Sequence, residues 1–358
     1  MHSAGASART RTLTLLVPGD LATATGGYRY DREIVSGLQA LGWQVDVCAL
    51  HASFPRPDSA ALAHAEAQLS ASTDQQCVLI DGLALGAMPD VALRHARRLR
   101  LFGLVHHPLA LETGLTALQA RQLHESERRA LQAMQHIVVT SSETAAALQH
   151  YGVDAARITV IEPGTDASDT ARRRNGRGHK LLSLLCVATL TPRKGHAALI
   201  AALARLPQRD WQLHCVGSIT RSADTTTALQ AAIAGAGLSQ NITLHGEVDE
   251  ASLRMRYQQA DLLVQASHYE GYGMALAEAL AQGLPVLSTA TGAAPRLLAA
   301  GAGLLVPTAE SSALQSALQR LWQEPLLLAQ LGEAAWLNRA NLPSWQQAVQ
   351  RWDQVLRT

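Results

Sequence analysis

Aromatic residues are scarce. They make up 4 % of the 358 residues, with only two phenylalanines, so any core has to be aliphatic and drawn from abundant Leu and Ala. Charge of one sign is also lacking. Thirty Lys and Arg against 29 Asp and Glu leave +1, which argues against general nucleic-acid binding, since that needs a basic excess. Cysteine is limited to Cys48, Cys77, Cys186 and Cys215, far apart in apolar, strand-like runs. Their spacing fits no metal site and reads as buried free thiols of a reducing compartment. No run of about eighteen apolar residues is present, so no membrane-spanning helix is expected. The first twelve residues are polar and lack the apolar segment of a signal peptide; they read as a frayed tail of a cytoplasmic protein. No Gly-x-Gly-x-x-Gly follows the first strand, which disfavours a nicotinamide oxidoreductase. No Asp-x-Asp pair stands out, and no metal or other cofactor is expected.

What is present is an alternation of strand and helix signals, long enough for two domains of ordinary size. Residues 12–17 form a first strand. A loop with Gly26 and Gly27 follows, then a helix over 30–41 and a second strand over 43–50. That is a βαβ unit, right-handed by the usual rule. The loop on its own reads equally as a turn with two permissive residues. Residues 77–81 and 101–105 are further strands. Between them Arg94, Arg97, Arg98 and Arg100 form a basic patch. A solvated helix face explains it; contact with an anionic membrane is the sharper alternative. His106 and His107 stand at the carboxyl end of the 101–105 strand, the edge where open parallel sheets carry ligands. A structural role is the bland alternative, and adjacent histidines point different ways, so at most one is expected to face the cleft. Neither has a third metal ligand at suitable spacing. Glu112 and Thr113 close the same loop. Residues 115–134 form a helix, and Ser141 with Ser142 caps the next.

The polar stretch 166–179, rich in arginine and glycine, reads as a linker. Domains are expected at 1–165 and 180–343, with a final helix over about 344–358. Trp345, Val349, Trp352 and Leu356 recur there at helical spacing. The second domain opens with a strand over 181–188. Arg193 and Lys194 follow at its end, a planar fork and a point charge suited to a diphosphate, unless they are an ordinary surface pair. Two more strands exit at Gly217 and Gly246.

The richest stretch begins after a buried strand over 261–266. Glu270 lies in a tight loop with Gly271, Tyr272 and Gly273, Met274 opens a helix, Glu278 lies two turns in, and Gly283 with Pro285 stops it. A helix start offers free N–H groups and partial positive charge, a seat for phosphates. An acid on each side of that seat suits a phosphorylated sugar with a ribose behind it. A buried α/β unit with a structural Glu is the alternative.

Glu270, seven residues, Glu278, with Gly-aromatic-Gly inside and Glu-Ala-Leu-Ala-x-Gly-x-Pro-Val after, resembles the signature of family 4 retaining glycosyltransferases of the GT-B fold. The resemblance spans nearly the whole chain, strongest from residue 181 to 307. It implies two Rossmann-like domains facing a cleft, the first binding acceptor and the second a UDP- or GDP-sugar, with the final helix crossing back onto the first. Glu270 would bind hydroxyls of the transferred sugar, Glu278 the ribose, and Arg193 and Lys194 the diphosphate. A histidine at the strand end would lie near the transferring sugar, with His107 the first choice over His106. Gly26 and Gly27 would lie beside the phosphates. Gly217, Gly246 and Val248 would lie toward the nucleotide, the loop around Val248 reading the base. Gly271, Tyr272, Gly273 and Met274 would complete the donor site. Arg29, Tyr30, Glu112 and Thr113 would meet the acceptor, which could be a lipid, a saccharide or a small aglycone. Where relatives often carry an acid after Pro295, this chain has Arg296. A sugar-nucleotide epimerase and a non-catalytic sugar-nucleotide-binding protein are the alternatives within the fold.

Overall fold

The computed structural model describes residues 11–167, 181–308 and 310–358. Among them the strands make two six-stranded sheets, parallel throughout. The first holds β1 (Arg11–Pro18), β2 (Trp43–Leu50), β3 (Cys77–Asp81), β4 (Arg100–Val105), β5 (His136–Val139) and β6 (Ile158–Val160) in the order 2-1-3-4-5-6. The second holds β7 (Leu182–Val187), β8 (Trp211–Val216), β9 (Ile242–Leu244), β10 (Leu262–Gln265), β11 (Val286–Thr289) and β12 (Gly303–Val306) in the order 12-11-10-7-8-9. The expected linker falls almost wholly outside the described residues.

Strands buried on both faces read as continuous apolar runs, and these do. Alternate residues serve opposite faces. Leu13, Leu15 and Val17 of β1 pack under helix Gly26–Ala40, while Leu16 joins Val78, Ile80 and Leu101 on the other side. In the second sheet Leu184 and Val264 face one core, and Leu185 and Leu263 the other. Cys186 and Cys215, distant in sequence, are register partners on β7 and β8 and remain free thiols; Cys48, the least buried of the four, is also free.

Two boundaries differ from expectation in ways that matter. The first helix begins at Gly26, four residues early, because the Thr25 side chain caps it by accepting from the Tyr28 N–H. Gly26 and Gly27 are thus its first turn. Helix Met274–Ala281 puts Glu278 one turn in, not two. The final helix, Trp345–Leu356, packs against Gly26–Ala40. Trp352 Nε1 donates to the Tyr30 hydroxyl at 2.7 Å, and that hydroxyl donates to the Ile161 carbonyl at 3.0 Å.

Each strand order reverses once: between β1 and β3 in the first sheet, and between β7 and β10 in the second. In open parallel sheets the crevice outside the carboxyl ends at that reversal is where ligands bind.

Candidate active site

The loops at the second reversal follow β7 and β10. After β7 the chain makes a single 3-10 turn, Pro192–Lys194, ended by Gly195 at φ 67°. A Cβ on Gly195 would overlap the Ala266 carbonyl, so the turn is pressed against the end of β10. It directs both cations at the loop 268–273. Lys194 Nζ donates to Glu270 Oε1 at 2.6 Å, Arg193 Nη1 donates to the Tyr269 carbonyl at 3.0 Å, and His268 N–H donates back to the Arg193 carbonyl. Ser267 Oγ also donates to Glu270 Oε1, at 2.6 Å. Glu270 is 7 % exposed. Burial alone would raise its pKa, but Lys194, Arg193 and the Ser267 hydroxyl outweigh this and hold it down at about 2.

Behind this cluster Gly273, at φ 89°, begins helix Met274–Ala281 with no side-chain cap. Its first N–H groups are therefore free of side-chain competition. Gly26 lies against Met274, so the starts of two helices approach each other from the two halves of the chain.

The wall opposite comes from the first sheet. His107 Nε2 lies 3.3 Å from Glu112 Oε2, and its ring tilts toward Tyr269 of the other half. Glu112 Oε1 pairs with Arg193 Nε at 2.9 Å and accepts from the Thr113 N–H. Burial would raise the Glu112 pKa, but His107 and Arg193 bring it down to about 2; burial, with Arg193 nearby, lowers that of His107. His106 turns the other way. Its ring sits against Gly27 and edge-on to Tyr30, and its Nε2 lies 3.4 Å from Asp31 and 3.7 Å from Asp81. Of the two histidines, it is His107 that touches the second half of the chain with its ring. The His106 carbonyl lies beside Gly271, so its backbone also meets that half.

Other expected residues are placed more surprisingly. Glu278 is bound on both oxygens, by Arg29 Nη1 at 2.6 Å and by the Tyr257 hydroxyl at 2.7 Å. Arg29, expected at the acceptor, is one of the cations that span the halves, pairing also with Asp166 at 2.9 Å. Tyr30 is a correction. One helical residue step, about 100°, turns it from the cleft into the core, where it is fully buried. Tyr272 keeps its position in the loop, but its ring is buried against Ala277 and Ala293, leaving only its backbone for a ligand. Gly217, at φ 145°, donates to the Gly246 carbonyl and lies against Ala188, so the exits of β7, β8 and β9 line one edge. Val248 is half-buried beyond them. Arg296, unusual at its position, reaches Glu162 at 2.6 Å and approaches Glu143.

Sequence reasoning missed Asp31, Asp81, Ser267, Tyr257 and Glu127. Glu127 is buried under the loop after β4, and both its oxygens accept from the Leu109 N–H. Burial pushes its carboxyl up to about 7. Asp81 had one available signal, its place at the carboxyl end of a buried strand; the others had none.

Two doubly wound parallel α/β units whose carboxyl edges meet across a charged cleft define the GT-B architecture. Two family models cover most of the chain: Glycosyltransferase Family 4 over residues 84–169, and Glycosyl transferases group 1 over residues 167–336. The chain belongs to the family 4 glycosyltransferases of the GT-B fold. It is 29 % identical over 254 residues to a D-inositol 3-phosphate glycosyltransferase of Pseudarthrobacter chlorophenolicus, covering 67 % of this chain and 60 % of that one. It is 25 % identical over 261 residues to an MMP alpha-(1->4)-mannosyltransferase of Mycolicibacterium hassiacum, covering 69 % and 62 %. The matches therefore span about three-fifths of these relatives. The fold is that of sucrose-phosphate synthase from Thermosynechococcus elongatus, with TM-score 0.80 and 22 % identity over 97 % of this chain and 98 % of that one. It is also that of Anabaena HepE solved with UDP-glucose, with TM-score 0.72 and 19 % identity over 97 % and 99 %.

Proposed function

We propose that the protein transfers a glycosyl unit from a UDP- or GDP-sugar to an acceptor hydroxyl, with retention at the anomeric carbon and without a metal. The observation that carries this is the Arg193–Lys194 turn, aimed across the sheet reversal at Glu270 and the uncapped start of Met274–Ala281. A diphosphate seated there meets two cations and free amides, which stabilise the charge that develops as the sugar departs. In this role Arg193 and Lys194 do what a metal does elsewhere. Glu270, kept ionised, accepts from sugar hydroxyls once the diphosphate draws Lys194 and Arg193 away. Glu278 accepts from the ribose while holding Arg29. The acceptor enters on the side of His107, Glu112 and Thr113. HepE, solved with UDP-glucose, lends the donor class its support. Closure of the two halves keeps water from the activated sugar.

The buried free thiols suit a reducing, cytoplasmic setting. The basic patch is largely consumed within the protein: Arg94 pairs with Glu66, Arg98 binds Asp74 and the Ser72 and Leu69 carbonyls, and Arg100 donates to the Leu356 carbonyl. Fastening of helix Pro89–His95 and β4 accounts for those three, which leaves peripheral membrane contact without a role in this reading.

The test is a panel of nucleotide sugars followed by thermal shift, then turnover of the stabilising donor with and without acceptors, in EDTA. Acceptor-dependent release of nucleotide and an anomeric NMR signal of unchanged configuration are expected. Conversion of the donor to its epimer without acceptor, loss of turnover in EDTA, or binding without turnover across a broad acceptor panel would each contradict the proposal.

A further inference from the structure

Three side chains from separate elements converge behind the cleft wall: Asp31 on helix Gly26–Ala40, Asp81 at the end of β3, and His106 after β4. Among the described residues they form one group in which a ring nitrogen and one oxygen from each carboxylate lie within 4.8 Å of one another. Asp31 and Asp81 are 2 % and 1 % exposed. Asp81 Oδ1 accepts from the Leu83 N–H, but neither oxygen of Asp31, nor Asp81 Oδ2, nor His106 Nε2 has a well-formed hydrogen bond. Asp31 is set among Leu13, Leu15, Leu79 and Leu104, and Asp81 ends a wholly buried strand; the two carboxylates need a countercharge, because an isolated buried carboxylate is very unfavourable. No Lys or Arg pairs with either among the described residues.

We infer that Asp31 and Asp81 are positioning residues that fix the His106 ring with Nε2 turned toward them and keep it an imidazolium at the cleft wall. This rests on the glycosyl-transfer reading above. The contacts favour a proton over a metal ion as the countercharge. Asp31, Asp81 and His106 together supply two carboxylates and one ring nitrogen. A hard cation asks for six or more oxygen ligands, which this wall does not offer. The titration environment agrees. Burial opposes charge on His106, but Asp31 and Asp81 outweigh it and raise its pKa, while burial and Asp31 push Asp81 up to about 7. The other groups facing the ring are Tyr30, edge-on, and the neighbouring His107; the His106 carbonyl is fixed by the Thr140 hydroxyl. The His106 side chain keeps 21 % of its surface open. With Nε2 held inward, the Nδ1 N–H is the donor left for a sugar or acceptor oxygen. Deprotonation would remove that donor, so turnover falls as pH rises through the His106 pKa.

The experiment pairs ¹⁵N-histidine NMR with kinetics on wild type, Asp31→Asn and Asp81→Asn, the His106 signal being assigned by its loss in His106→Gln. Expected is a wild-type His106 that titrates above the ordinary value and titrates lower in either Asn variant. In both, kcat falls by about tenfold or more while donor KM changes little, and the alkaline limb moves to lower pH. Asp31→Glu restores part of both. If one Asn variant fails to fold, the other carries the test. A His106 titration unmoved by either substitution, or variants with wild-type kcat, overturns the inference. So does a stoichiometric Mn²⁺ or Zn²⁺ bound by wild type and lost in the variants. A wild-type protein that transfers no sugar, yet shows the NMR shifts, would fault the functional reading and not the His106 assignment.

Discussion

Lys194 and Glu270 are held together at 2.6 Å with little access to water, so each would be costly to leave alone. Glu270→Ala and Lys194→Ala should each abolish turnover in the nucleotide-sugar assay while circular dichroism stays native; either variant turning over at wild-type rates with saturating donor would show the site is misplaced. Acid stability gives a second test. Glu270 has its folded pKa lowered to about 2 from an ordinary 4.5, so its contribution is present above pH 4.5 and is lost as pH falls toward 2. Glu270→Gln should flatten the acid limb of the urea-unfolding curve by about 3 kcal/mol in that window. Glu112 occupies Arg193 in the unliganded protein, so Glu112→Gln should tighten donor binding in calorimetry by a few-fold; weaker binding would mean the carboxylate helps seat the donor. Arg193, Lys194 and Glu270 were legible because each sits in a compact run of unusual composition. His106 was a candidate from its strand-end position, but its grouping with Asp31 and Asp81 was not legible, because three distant elements supply the group and no local pattern marks it. Arg29 and Tyr30 were read together because the helix start was set four residues late, which hid their difference in phase.

At the scale of elements, turns and one crossing helix do the positioning. Gly195 carries the cations and has a backbone that only glycine adopts readily. Gly195→Ala should lose donor affinity in calorimetry and lower Tm; unchanged affinity would detach the turn from the donor seat. Trp352, fully buried, closes the core around Tyr30 from the far end of the chain. Trp352→Ala should cost about 3–5 kcal/mol by urea unfolding. The strands were readable as apolar runs bounded by Gly and Pro, and the final helix as a repeat of Trp345, Val349, Trp352 and Leu356. Helices Gly82–Leu85 and Pro89–His95 were not, being too short to show a period.

Across the whole molecule, the halves meet through ion pairs between residues far apart in sequence: Arg29 with Glu278, Arg193 with Glu112, and Arg296 with Glu162. The paired α/β architecture was legible from the alternation of elements and from the Glu270–Pro285 signature. The pairs were not, since nothing in a sequence marks which charges meet across a cleft. Arg296 joins the halves through Glu162 and, among the described residues, has no direct ion pair with the Arg193–Lys194 turn, so Arg296→Ala should enlarge the radius of gyration of the unliganded protein in X-ray scattering, and donor should reverse the change. The most direct measurement is calorimetric binding of the nucleoside diphosphate that wild type prefers, and of its nucleoside, to wild type, Arg193→Ala and Lys194→Ala. Each charge-assisted contact contributes about 1.5–3 kcal/mol, so diphosphate affinity should drop by about 10- to 100-fold per substitution while nucleoside affinity stays constant. Equal diphosphate affinity in all three proteins would contradict a diphosphate held by Arg193 and Lys194.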